Sequence, residues 1–131
     1  MRAIAFFIFL LIYLCGMWTS SPSAFINGLD VSFQFITEVS WPKFWDASYI
    51  TSTEPYFIIS KIGHLVGSFL LAILYFFWLE RTKGTLTLLI LLLATIEISQ
   101  EYFTRDARFL DLTINLAGVL LAVGLFREKE N

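Results

Sequence analysis

The stretch that decides the fold runs from Phe57 to Leu79 and reads FIISKIGHLVGSFLLAILYFFWL. Its strongly polar residues, Lys61 and His64, both lie in its first half. A helix needs ~20 mainly apolar residues to cross the ~30 Å hydrocarbon core of a bilayer. We therefore predict a membrane-spanning helix here, with its polar side chains gathered near one end.

Three further apolar segments surround this stretch, one before it and two after it. They run from Ala3 to Trp18, from Thr85 to Phe103 and from Phe109 to Phe126. The chain has 131 residues, of which 57% are hydrophobic and 15% charged, so it has room for one domain and is not expected to be water-soluble. The sequence predicts an all-α, polytopic membrane protein: a single domain over residues 1–131 that forms a four-transmembrane-helix bundle.

The first apolar segment has two interpretations. Arg2, the apolar run and the serine-rich stretch Ser20–Ser23 imitate a secretory signal peptide, although the run is also long enough to remain as a membrane anchor. We favour the anchor. Cys15 is the only cysteine, and bulky residues precede it, so we expect neither lipidation, nor an internal disulfide, nor a thiolate metal cluster.

Basic residues in the short connections predict the orientation, because cytoplasmic loops are enriched in lysine and arginine. Arg81 and Lys83 lie between the second and third segments, and Arg127 and Lys129 follow the fourth. Together with Arg2, these residues place both termini in the cytoplasm.

The long connection from Thr19 to Ser60 is then extracytoplasmic. Its many aromatic residues stand among prolines and acidic residues, a composition typical of a segment that lies at the membrane interface. We expect an interfacial loop and no separate domain, with a partner-binding loop as the alternative. The net charge of −2 provides no cationic surface for nucleic acid, and we expect no nucleic-acid partner.

Polar side chains interrupt three of the predicted helices at a similar depth, near the outer boundary. They are Lys61 and His64, Glu97 and Gln100, and Asp111 and Asn115. Because isolated polar groups are costly in lipid and paired ones much less so, we expect these residues to meet inside the bundle. They indicate either a functional site, which we favour, or a network that only holds the helices together. With a single histidine and no cysteine pair, we expect no metal and no other cofactor. Small residues four apart, Gly63 with Gly67 and Gly118 with Ala122, predict close helix packing.

The order of these polar residues resembles a known pattern. Lys61-x-x-His64 opens one helix, Glu97-x-x-Gln100 ends the next, an arginine stands in the short loop, and Asp111-x-x-x-Asn115-x-x-Gly118 follows. In this order and placement, residues 61–124 resemble the VanZ-like membrane protein family. That family tends to place a Pro-Gly-like turn before its loop arginine, whereas Phe103 and Thr104 stand here. Both Arg105 and Arg108 remain candidates for the matching arginine.

The resemblance implies a multi-pass protein of the bacterial cytoplasmic membrane with a role in the cell envelope. The family is named for resistance to the glycopeptide teicoplanin, but no settled biochemical activity comes with it. We favour a non-enzymatic protein whose outer-leaflet pocket binds an anionic lipid headgroup or a lipid-linked envelope intermediate, with Lys61 and a loop arginine supplying positive charge.

Two alternatives stay open. One is an intramembrane acid/base enzyme acting on a lipid-linked substrate, with Glu97 or Asp111 as base and His64 as acid or base, although no nucleophile motif stands beside them. The other is an accessory subunit that joins a membrane-protein partner or a second copy of the chain, its polar residues serving only the packing.

Overall fold

The computed structural model describes residues 1–127, which form helices joined by irregular segments and contain no strand. The all-helical prediction is therefore confirmed for this part of the chain. Lys129, which contributes to the predicted orientation, lies outside the described residues. The helices are α1 (Arg2–Trp18), α2 (Pro22–Gly28), α3 (Pro42–Trp45), α4 (Pro55–Trp78), α5 (Lys83–Ser99) and α6 (Phe109–Arg127), with 3-10 turns at Ser48–Thr51 and Gln100–Phe103.

Three helices are long and apolar enough to cross a membrane, judged by length and composition. They are α4, α5 together with its 3-10 extension to Phe103, and α6 as far as Phe126. Helix α1 is also apolar but has 17 residues, which at ~1.5 Å per residue reach ~25 Å. Length and composition thus support three of the predicted spans, and the fourth stays a prediction.

Local sequence signals explain where the two central helices begin. Pro55 occupies the first turn of α4, a position where proline removes no hydrogen bond and its fixed φ suits the helix. Helix α5 begins at Lys83, earlier than Thr85, because Thr82 and Thr85 form a reciprocal capping box with each other's backbone amide. Because α4 begins at Pro55, the long connection ends before Ser60, the predicted limit.

Helices α4 and α6 pack with their backbones close together at Gly118. A Cβ atom added there would lie 2.1 Å from the Ser68 hydroxyl and 2.6 Å from the Leu65 carbonyl oxygen. Only glycine allows this approach. The close packing predicted around Gly118 is confirmed.

The small-residue prediction on α4 is half right. A Cβ atom on Gly67 would lie 2.6 Å from the Tyr13 ring, so Gly67 makes room for a side chain of α1. A Cβ atom on Gly63 would meet nothing within 4 Å, so this glycine serves no helix contact. The prediction was wrong for Gly63 because the spacing of small residues does not show which of them faces a neighbouring helix.

The long connection lies over the end of the bundle where α5 stops. The Ile36 amide donates a hydrogen bond to the Tyr102 carbonyl oxygen at 2.9 Å. Trp18 stacks on Phe103, with ring centroids 4.9 Å apart, and its indole donates to the Ser99 hydroxyl at 2.8 Å. This end of the molecule also holds the start of α4 and the start of α6, which brings the polar segments together.

Candidate functional site

The predicted polar residues of three helices meet at this end of the bundle. His64 comes from α4, Glu97 from the last turn of α5, Gln100 from the 3-10 turn, and Asp111 and Asn115 from the start of α6. Each of these side chains is buried, with at most 3% of the residue exposed. We call the five residues the polar network.

Glu97 is the centre of the polar network. Its Oε1 accepts a hydrogen bond from the Arg108 amide at 3.1 Å, and its Oε2 accepts from Gln100 Nε2 at 3.2 Å and Asn115 Nδ2 at 3.4 Å. The residue is completely buried. Burying a carboxylate is tolerated only when it is paired or hydrogen-bonded, and these three donors supply that compensation.

Tyr13 connects α1 to the polar network. Its hydroxyl donates to Asn115 Oδ1 at 3.1 Å, and the same oxygen lies 3.3 Å from His64 Nδ1. Sequence reasoning missed Tyr13 as a site residue. The sequence does contain a signal for it, since Tyr13 stands in the middle of an apolar run. A buried tyrosine hydroxyl usually has a hydrogen-bond partner, so this position predicts a polar contact.

His64 has acidic side chains near both ring nitrogens. Its Nδ1 lies 3.7 Å from Glu97 Oε2, and its Nε2 lies 3.8 Å from Asp111 Oδ2. Asp111 in turn forms an ion pair with Lys61, whose ammonium group lies 4.7 Å from the centre of the Phe57 ring. The positive charge of Lys61 is therefore already paired within the protein.

The two candidate arginines have different environments. The Arg108 guanidinium carbon lies 3.6 Å from the centre of the Tyr49 ring, and Nη2 lies 3.5 Å from Asp106 Oδ2. Only its backbone amide reaches the polar network, through Glu97. The side chain of Arg108 thus belongs to the long connection and not to the network.

Arg105 is placed by an unusual turn. Thr104 has a φ of 57°, a left-handed conformation that is uncommon for a β-branched residue, and the Arg105 amide donates to the Gln100 carbonyl oxygen at 3.2 Å. The side chain points back toward α1, where Nη1 donates to the Thr19 carbonyl oxygen at 3.2 Å. The turn therefore directs this guanidinium toward the space beside α1.

The Arg105 guanidinium has no carboxylate within 4.0 Å among residues 1–127. Burial lowers the pKa of this guanidinium, and the negative charges of Glu97 and Asp111 oppose that shift. Arginine nevertheless stays protonated in proteins. Arg105 is thus a partly buried cation without an ion-pair partner in the described part of the chain.

A cavity of about 240 Å³ opens beside the polar network. Residues of α1, α2 and the first half of α4 line it together with Arg105; we call it the α1–α4 cavity. Most of its wall is apolar, and Arg105 is the only Arg, Lys, Asp or Glu in the wall. The lining residues are Phe9, Ile12, Tyr13, Gly16, Met17, Pro22, Phe25, Ile26, Ile59, Ser60, Gly63, His64 and Arg105.

Of the predicted binding residues, only His64 and Arg105 line this cavity. Lys61 and Arg108 lie outside it, and the remaining members of the polar network are enclosed behind Tyr13 and His64. The arrangement is therefore a closed polar network next to a mainly apolar cavity with one cation. In residues 1–127, no group of three or more His, Cys, Asp or Glu side chains is arranged to hold a metal ion.

Comparisons with known proteins identify no relative. No protein-family model matches the chain, and no curated protein or solved structure is significantly similar to it.

Proposed function

We propose that this chain is a four-span protein of the bacterial cytoplasmic membrane, similar to VanZ-like proteins, whose α1–α4 cavity binds an anionic amphiphile from the outer leaflet. The observation that carries the proposal is Arg105, a partly buried guanidinium without a carboxylate partner that lines a mainly apolar cavity. An anionic headgroup would supply the missing negative charge. Binding of such a ligand would give the protein a role in the cell envelope. Susceptibility of the cells to glycopeptide antibiotics is one measurement of that role.

The membrane arrangement supports this proposal. Helix α1 lies at the short end of the ~17–25 residues found in membrane-spanning helices, and it packs along α4, with the Phe6 ring centroid 5.4 Å from that of Tyr75 and 5.5 Å from that of Trp78. Arg81 and Lys83 at the other end of α4 favour the cytoplasm there. The α1–α4 cavity then faces the outer leaflet.

The chemistry of the cavity suits an amphiphile. A guanidinium donates through a planar fork that matches carboxylate or phosphate oxygens, and Arg105 uses only Nη1 for a hydrogen bond within the described chain. The apolar wall, which includes Phe9, Phe25 and Ile59, is complementary to a hydrocarbon tail. Headgroup and tail would thus be recognised by different parts of one cavity.

In this proposal the polar network has a positioning role. It fixes the ends of α5 and α6, and the Gln100 carbonyl oxygen holds the Arg105 amide. This differs from our first assignment of all the predicted polar residues to the binding site. Lys61 in particular would stabilise Asp111 and would not contact the ligand.

An accessory subunit with a purely structural network is the second candidate. The full hydrogen bonding of Glu97 and the Lys61–Asp111 ion pair favour it, because a satisfied network needs no ligand. Catalysis has less support, since no nucleophile motif stands beside the acidic residues, and the His64 ring nitrogens lie near Asn115, Glu97 and Asp111.

Charge-removing variants distinguish the two candidates. Arg105→Gln should insert and elute as a monodisperse peak in size-exclusion chromatography but lose co-purifying anionic lipid, measured by mass spectrometry. Arg108→Gln is the matched control from the same loop and should keep its lipid. Retention of the wild-type lipid complement by a monodisperse Arg105→Gln protein would refute the binding proposal.

Lys61→Gln tests the positioning role assigned to the ion pair. Removal of the ammonium group leaves Asp111 buried without a counter-charge, so we expect aggregation and a reduced folded yield. The double variant Lys61→Gln/Asp111→Asn should recover folding through non-additive coupling. A well-folded single variant that has lost its lipid would instead place Lys61 in the binding site.

A further inference from the structure

We infer that the ligand of the α1–α4 cavity is a single-chain amphiphile whose headgroup carries one negative charge, either a carboxylate or a phosphodiester. This inference rests on the proposed function and narrows its ligand class. It disfavours lipid-linked diphosphates, which belong to the envelope intermediates that the sequence left open. Charge, volume and the position of one glycine carry the argument.

Charge limits the headgroup. Arg105 is the only lining residue with a full positive charge, while Lys61 is paired with Asp111 and Arg108 with Asp106. The other side chains near His64 are Glu97, Asn115 and Asp111, none of which is a cation that could balance a second negative charge. One guanidinium can neutralise one carboxylate or phosphodiester, whereas a diphosphate would bring uncompensated charge into a mainly apolar cavity.

Volume limits the tail. The cavity measures about 240 Å³, which is below the ~300–1,000 Å³ typical of pockets for drug-sized ligands. It can enclose part of one hydrocarbon chain beside a headgroup but not two chains side by side. The rings of Phe9 and Phe25 are part of its wall, and the ring of Phe25 lies only 3.2 Å from the position of a Cβ atom on Gly16. Helix α2 therefore closes tightly against α1 at that point.

Gly63 keeps the α4 side of the cavity open. It lines the cavity, and an added Cβ atom would meet nothing within 4 Å, so a side chain at this position would extend into empty space. Gly124 on α6 is equally unobstructed but does not line the cavity. The two glycines form a matched pair: a substitution adds the same volume at each, and only Gly63 should affect a ligand.

The test uses the purified full-length chain in nanodiscs of phosphatidylcholine, a zwitterionic lipid. The probes are radiolabelled palmitate, lysophosphatidylglycerol, farnesyl diphosphate and hexadecanol, which supply a carboxylate, a phosphodiester, a diphosphate and a neutral headgroup. Scintillation proximity then gives the affinity of each probe. The proteins are the wild type, Gly63→Ala, Gly63→Leu, Gly124→Leu, Arg105→Gln and Arg108→Gln, each verified as monodisperse.

We expect palmitate or lysophosphatidylglycerol to bind at least about tenfold more tightly than hexadecanol and farnesyl diphosphate, because a charge-assisted hydrogen bond contributes that much. Gly63→Ala should weaken binding and Gly63→Leu should abolish it, whereas Gly124→Leu should have no effect. Arg105→Gln should remove the preference for an anion, and Arg108→Gln should retain it. The stronger of the two single-charge probes identifies the headgroup chemistry.

Three results would overturn the inference in different ways. Farnesyl diphosphate binding as tightly as the single-charge probes, with loss in Arg105→Gln, would reject the single-charge ligand and leave the proposed function standing. Failure of every anionic probe to bind above hexadecanol would reject the proposed function together with the inference. Equal binding by Gly63→Leu and wild type would show that the ligand lies elsewhere.

Discussion

At the scale of single residues, Glu97 shows how an acidic side chain is accommodated in an apolar helix. Its carboxylate is completely buried and accepts hydrogen bonds from two side chains and one backbone amide. The donors come from the 3-10 turn, the loop and α6, so one side chain fixes the relative positions of these segments. Glu97 would be costly to bury without these hydrogen bonds, and with them it stabilises the polar network.

Glu97→Ala should lower the free energy of unfolding by about 3 kcal/mol or more, because two buried donors and one partly buried donor would each lose a partner at roughly 1–3 kcal/mol. Glu80→Ala is the control, since Glu80 is exposed in the connection between α4 and α5, and it should change stability by less than about 0.5 kcal/mol. Folded yield in detergent and thermal melting measure both. Equal losses in the two variants would mean that Glu97 is not buried.

The sequence predicts which polar residues meet but not how they pair. Spacings of three and four residues place His64 with Lys61, and Asn115 with Asp111, on shared helix faces, and lipid forces such faces inward. The rotation of each helix about its axis is set by packing, which the spacing does not contain. That is why the sequence could not decide between Glu97 and Asp111 as the partner of Lys61. Nor could it predict the contribution of Tyr13 or the separate environments of the two arginines.

At the scale of helices, Gly118 sets the distance between α4 and α6. The atoms nearest to a Cβ atom at this position include the Leu65 carbonyl oxygen at 2.6 Å and the Phe69 amide nitrogen at 2.9 Å. Backbone atoms cannot rotate aside as a side chain does. Any larger residue must therefore push α4 and α6 apart. Because Asp111 and Asn115 belong to α6, that movement would also displace them from the polar network.

Gly118→Ala should destabilise the protein by about 1–3 kcal/mol through overpacking of this helix pair. Gly124→Ala, where a Cβ atom meets nothing within 4 Å, should be neutral or slightly stabilising because alanine favours the helix. Melting temperatures of the two variants provide the comparison. The double variant Gly118→Ala/Ser68→Ala removes the Ser68 hydroxyl and should recover little of the lost stability. Full recovery of the melting temperature would show that the helix backbones are not in close contact.

Helix ends were predictable where the sequence contains capping chemistry. Ser21 and Pro22 open α2, with the Ser21 hydroxyl accepting a hydrogen bond from the Ala24 amide at 3.4 Å. The same signals are present in the sequence, yet we predicted only an interfacial loop here and no helix. A helix as short as α2 has no apolar periodicity to reveal it, so its role as one wall of the α1–α4 cavity becomes visible only in the folded chain.

At the scale of the whole molecule, the polar network joins all four long helices. Tyr13 of α1, His64 of α4, Glu97 of α5 and Asn115 of α6 are connected through contacts that centre on Asn115 and Glu97. The chain separation across these contacts reaches 102 residues, between Tyr13 and Asn115. Because α1 contributes a buried hydroxyl to this network, it packs as a member of the bundle, which is the reason to expect that it crosses the membrane with the others.

Topology tests this expectation, because the number of spans decides whether the two ends of the chain share a side. If α1 crosses, the N-terminus and C-terminus are both cytoplasmic, and the connection after α1 is external; with three spans, the two termini lie on opposite sides. We propose single-cysteine labelling in a Cys15→Ser background, with new cysteines at Asp30 and Glu80, both exposed, and an epitope tag at each terminus.

In intact cells, a membrane-impermeant maleimide should label Asp30→Cys and leave Glu80→Cys unlabelled until the membrane is opened, because Glu80 adjoins the basic pair Arg81 and Lys83 that favours the cytoplasm. Protease added outside should spare both tags. An N-terminal tag that is removed while the C-terminal tag survives would show that α1 does not span, and the outer leaflet could then no longer supply a ligand between α1 and α4. Labelling of Glu80→Cys in intact cells would reverse the whole orientation and place the α1–α4 cavity on the cytoplasmic side.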